Sequence, residues 1–150
     1  MVDLIILGGL ICLGYFAGSR AERRHYRSIR KREEEFVALP AVTFRQITEP
    51  ERAEGSRLVA GSAVISIDYF KRLLAGLRSL VGGRVKSYES LLDRARREAL
   101  LRMKEQARDA DEIVNLRIET TSISKGSMNR NRSVSTVEAL AYGTAVYYRK

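Results

Sequence analysis

The chain is poor in the side chains that carry soft-metal and nucleophilic chemistry: it has one cysteine, Cys12, and one histidine, His25. A single thiol cannot form an intrachain disulfide, and a reducing compartment is the simpler expectation. Because neither residue lies beyond position 25, no serine after Pro40 has a local imidazole or thiol to activate it, which argues against a nucleophilic hydrolase there. Heavy-metal binding asks for three or four soft donors converging at ~2.0–2.3 Å, and the chain after Pro40 offers none. Asp109, Asp111 and Glu112 are the best oxygen cluster; acids beside a basic helix are expected to be solvated or ion-paired. Glu98, Glu119 and Glu138 show no spacing that marks an acid–base pair. Gly82-Gly83-Arg84 lacks the Lys-Ser or Lys-Thr of a phosphate loop and reads as a helix stop. The expectation is a protein that is not an enzyme and has no cofactor and no resident metal.

Acidic residues are also short, 18 against 27 basic ones, leaving a formal net charge of +9. Anionic partners follow: lipid headgroups, nucleic acid or an acidic protein. A length of 150 residues allows one domain with an appendage.

Only one long apolar run is present, Leu4 to Ala17, with neither charge nor polar stripe. Such a helix wants lipid or protein on every side, although a span usually takes ~20 residues. Asp3 precedes the run and Arg20, Arg23, Arg24, Arg27, Arg30, Lys31 and Arg32 follow it, the reverse of a secretory signal. The positive-inside rule then predicts a single-pass membrane protein, N-terminus outside and domain cytoplasmic. Residues 1–18 are read as the transmembrane anchor, 19–40 as a basic charged connector and 41–150 as the domain. The seven basic residues are candidate contacts for anionic lipid, at ~1 kcal/mol each, or a flank that sets topology and nothing more. Arg30 with Glu34 and Lys31 with Glu35 have the spacing of helical ion pairs.

After Pro40 the pattern predicts α+β: a small antiparallel sheet of three or four strands packed on two helices. The strands are Arg57–Ile67, Ile113–Ile123 and Val134–Tyr148, with a weaker candidate at Val42–Ile47. In Ile113–Ile123 the side chains of Val114, Leu116 and Ile118 alternate with Asn115, Arg117, Glu119 and Thr121, so one face meets water or a charged neighbour. A short helix runs over Asp68–Val81 and a longer one over Ser87–Ala110. Tyr88, Leu92, Ala95, Ala99 and Met103 form the buried stripe of the longer helix, with Arg94, Arg97, Glu98, Lys104 and Glu105 solvated. The first and last strands are semi-apolar on both faces, so a second copy is expected to cover the face the helices leave open. Gly61, Ser62 and Ala63, echoed by Gly143, Thr144 and Ala145, are the candidate interface residues. The alternative is that these small side chains make room for the chain's own helices.

The blocks Ala75–Gly83, Tyr88-Glu89-Ser90-Leu91-Leu92, Ala95-Arg96-Arg97-Glu98-Ala99 and Ala141-Tyr142-Gly143-Thr144-Ala145-Val146 resemble, in order and spacing, the YbjQ-like family of heavy-metal-binding domains. The resemblance covers about residues 41–149 and leaves out the N-terminal run. It implies a dodecin-like α+β subunit that assembles into a ring, usually a pentamer. Two departures stand out. Arg108-Asp109-Ala110-Asp111-Glu112 replaces the family's glycine turn, and the loop Ser124–Ser133 carries Lys125, Arg130 and Arg132. The functional expectation is a membrane-anchored, homo-oligomeric interaction or scaffold protein with an unknown protein partner. A metal-ion or small-ligand binding ring is one alternative; binding of anionic lipid or nucleic acid through basic surfaces is the other.

Overall fold

Small and apolar residues alternate through Ala53–Ser66 and Thr136–Tyr148, and these two long strands, β1 and β3, pair antiparallel with Gly61 opposite Ala141 and Ala63 opposite Ala139. This computed structural model describes residues 2–66, 86–123 and 136–149. The expected helix Asp68–Val81, its glycine stop and the loop Ser124–Ser133 lie outside the described residues. A third strand, β2 (Glu112–Ile123), pairs antiparallel with the other edge of β3, giving the order β1-β3-β2. The fold is α+β, with a small antiparallel three-stranded sheet.

The helix α2 (Lys86–Gln106) lies across β1 and β3 and barely touches β2. Leu91, Ala95, Ala99 and Met103 face the sheet and are buried, Leu92 is half-buried, and the side chain of Tyr88 lies outside the described residues. The helix stops at Gln106, four residues before the expected Ala110. There Ala107 N bonds Lys104 O and Ala110 N bonds Ala107 O, both at 3.0 Å. These tight turns satisfy the end of the helix without a glycine. The small residues of β1 let α2 come close: a Cβ on Gly61 would collide with the backbone of Met103 and Ala99.

β2 departs from simple alternation. Val114 pairs with Thr144 and Arg117 with Tyr142, so Asn115 and Leu116 together oppose Gly143. Such a bulge adds one residue to one strand, and Asn115 takes the left-handed φ of 53° that Asn tolerates better than most residues. Val114 therefore shares a face with Arg117, while Ile118, opposite Ala141, turns towards the helix side. The expected strand Val42–Ile47 is reduced to a parallel bridge between Ala41 and Ile113. Val42 N bonds Ile113 O, Leu116 N bonds Val42 O, and Asn115 N bonds Phe44 O; the bulge interrupts the ladder before it becomes a fourth strand.

Residues 2–35 form one continuous helix, α1 (Val2–Glu35), so anchor and connector are a single element. No helix among the described residues is long and apolar enough to cross a membrane. The 14 apolar residues Leu4–Ala17 supply ~21 Å, against the ~30 Å of a bilayer core, and Arg20 and Glu22 continue the same helix. This overturns the expected single-pass topology, with its outside N-terminus and cytoplasmic domain.

Candidate functional site

The second half of α1 is bound to α2 along a charged seam. Tyr26, Ile29, Glu33 and Phe36 recur every three or four positions and so share one helical face. Ile29 is completely buried and Phe36 nearly so. Around them Tyr26 OH donates to Ser90 O at 3.1 Å, and Arg97 clasps Glu33 at 2.7 and 2.5 Å. Lys104 Nζ donates to Phe36 O and Leu39 O at 3.1 and 2.6 Å, adding to the turn bond from Leu39 N to Phe36 O just past the end of α1.

At the centre of the seam is Glu98, 5% exposed. Arg32 meets it with two bonds, 2.5 and 3.2 Å, and also reaches Glu105 at 3.2 Å. Arg102 adds a bond of 3.1 Å, and His25 Nε2 lies 3.5 Å away. Burial alone would raise the Glu98 carboxyl, but the Arg32 and Arg102 bonds outweigh it and hold the group below its ordinary value. Burial lowers His25, against the pull of Glu98 and with help from Arg94, Arg32 and Arg102. The Arg97 bonds hold Glu33 low, and burial lowers Lys104. Glu98, Arg97 and Lys104, read as solvated from their spacing, are instead the seam's own contacts.

The seam sorts the seven candidate lipid contacts. Arg32 is half-buried and engaged with Glu98, whereas Arg20, Arg23, Arg24, Arg27, Arg30 and Lys31 are exposed. The helical pairs Arg30–Glu34 and Lys31–Glu35 do not form among the described residues.

The six candidate interface residues divide in the same way. Gly61, Ala63, Gly143 and Ala145 are buried, and Val59, Gly61 and Ala63 line the helix-facing side. A Cβ on Gly143 would fall 2.9 Å from Ile113 Cγ2. These four therefore serve packing within the chain. Ser62 is exposed and Thr144 half-buried on the opposite face. Around them Leu58 is 73% exposed, Val64 59% and Leu140 38%, and all three point to the side away from α2. Period-two spacing already marked this second face as semi-apolar; the six candidate residues were drawn from the small side chains rather than from these three.

The acid cluster is mostly structural. Glu112, 5% exposed, accepts bonds from Thr48 N at 2.9 Å, Thr48 Oγ1 at 2.5 Å and Tyr148 OH. Asp111 accepts from Tyr148 N at 2.7 Å, and Asp109 is exposed. Burial would raise Glu112, and the Thr48 and Tyr148 bonds hold it low.

Comparison with known proteins adds the kinship. A family model described as "Putative heavy-metal-binding", of the YbjQ type, matches residues 39–149. A UPF0145 protein of Vibrio parahaemolyticus is 42% identical over 98 residues, 64% of this chain and 85% of the relative. One from Halobacterium salinarum is 36% identical over 114 residues, 75% of this chain and 96% of the relative. A solved structure from Pediococcus pentosaceus, a DUF74 protein of unknown function, has a TM-score of 0.44 at 16% identity, covering 74% of this chain and 98% of that one. Among the described residues no three His, Cys, Asp or Glu side chains converge. Cys12 and His25 stand ~20 Å apart along α1, and the carboxylates of Glu98 and Glu112 are already bonded. The match to nearly all of the chain beyond α1, together with these relatives, shows that the chain belongs to the YbjQ/UPF0145 family.

Proposed function

We propose that this chain is a non-enzymatic interaction module that assembles with copies of itself through the open face of its sheet, forming a ring that presents one surface repeatedly to a protein partner. The carrying observation is the exposure of Leu58 and Val64, 73% and 59%, on the face opposite α2. Across β3 the same face continues through Tyr142 and Leu140, and on β2 it ends in Arg117 and Glu119. Apolar side chains bordered by charges of both signs suit a second copy, because a rotated twin can set Arg117 near Glu119. Val114 and Val146, at one end of this face, are already buried within the chain; the uncovered part, three strands ~14 Å wide and ~25 Å long, offers roughly 350 Å² per copy, a small patch beside the ~800 Å² of a standard interface. The family resemblance, which implies a pentameric ring, supports the same reading. The non-enzymatic part rests on chemistry: each buried carboxylate among the described residues is engaged in structural bonds.

The test is mass photometry and sedimentation velocity on the full chain and on Leu58→Lys/Val64→Lys. A wild-type oligomer that the double variant reduces to monomers, with unchanged far-UV circular dichroism, is the expected result. A wild-type monomer at micromolar concentration would refute the reading; so would an oligomer that survives the substitutions.

A further inference from the structure

We infer that the outward face of α1 is a binding site for single-stranded nucleic acid. At ~100° per residue, Arg20, Arg23, Arg24, Arg27, Arg30 and Lys31 fall within an arc of ~120° centred opposite the Ile29–Phe36 seam. All six are exposed, and none forms a salt bridge among the described residues, although Arg30 is near enough to Glu33 to help hold its carboxyl low. The docking of α1 onto α2 thus turns a basic run of no fixed direction into a stripe ~16 Å long, facing away from the sheet. Like charges held this close repel one another, at a cost to the helix, and an anionic ligand reduces that cost.

The chemistry of the ligand follows from the shape and the neighbour. Phe16 and the four arginines from Arg20 to Arg27 line one surface groove, and Phe16 is 67% exposed. Guanidinium groups bind phosphate oxygens in pairs, and an exposed aromatic ring beside them offers a base a surface to stack on. A charged groove with a stacking ring is the combination that binds single strands without sequence preference. An exposed ring set among paired guanidinium groups matches a ligand that carries both phosphates and stacking bases, whereas a lipid headgroup has no base to stack.

The experiment is fluorescence anisotropy of labelled oligo(dT) and oligo(U) with the 150-residue chain across a salt series. If about four phosphates are contacted, affinity should fall ~50-fold for a fourfold rise in salt. Arg20→Glu/Arg24→Glu/Arg27→Glu should abolish binding, and the matching Arg→Gln triple should weaken it and flatten the salt dependence. Arg45→Glu, a reversal of charge at an exposed residue off the stripe, should do neither. Phe16→Ala should weaken binding at least ~5-fold and leave the salt slope unchanged. The inference is overturned by an absence of oligonucleotide binding at low salt or by equal sensitivity to Arg45→Glu. Binding to phosphatidylserine vesicles with none to either oligonucleotide overturns it too.

Discussion

A buried carboxylate held by two arginines makes Glu98 the residue on which the α1–α2 seam turns. Breaking a buried ion pair costs ~3–5 kcal/mol; with the Arg32 side chain 22% exposed, Glu98→Gln should cost about 2 kcal/mol near neutral pH, measured by urea unfolding. The pH dependence has a definite sign. Glu98 sits below its ordinary 4.5 and His25 below its ordinary 6.5, so each contributes stability above its unfolded value and loses it as pH falls through the folded one. Stability should decline from about pH 6.5 downward and more steeply below about 4.5. Glu98→Gln should make the steep part shallower, with Glu33 and Glu112, also held low, carrying the rest, and an unchanged acid limb would show that the Glu98 carboxylate is not among the groups that titrate. None of this was legible locally, because Arg32 and Glu98 lie 66 residues apart, and no periodicity in α2 records what a distant helix brings to it.

Strands and helices with their own periodicity were legible. The alternation through Ala53–Ser66 and Thr136–Tyr148 and the stripe Ala95, Ala99, Met103 reflect contacts made by each element's own face, so sequence spacing carries them. The docking of α1 was not, since a run of arginines looks the same whether it hangs free or has one face engaged. Ile29 tests that docking: it is fully buried, and Ile29→Ala should cost ~2–4 kcal/mol. Hydrogen exchange should show the loss concentrated in residues 22–36. A change spread evenly over the sheet would instead mean that Ile29 supports the core as a whole. The spacing of apolar residues did find the run Leu4–Ala17, but hydropathy alone does not say that its helix continues, charged, for about another five turns.

For the whole molecule, the family's metal label meets no converging set of donors among the described residues of one chain. Equilibrium dialysis of the full chain against zinc and copper should leave less than one tightly bound ion per chain, and stoichiometric binding that survives Cys12→Ser/His25→Gln would require a site built between copies. Assembly and the nucleic-acid face occupy different surfaces, so Leu58→Lys/Val64→Lys should leave the oligonucleotide affinity of each single subunit unaltered. The bulge at Asn115 has a bearing on kinship within the family. It is an insertion that the sheet has absorbed: on either side of it, every residue of β2 keeps the partner and the face it would have in a strand one residue shorter. A relative lacking that residue would show the same two faces to its helices and to its neighbours. What it would lose is the sideways amide that ties Phe44 to the sheet, so gain or loss of one residue here is a way for the family to loosen or fasten the segment leading in from α1 while the rest of the sheet stays as it is.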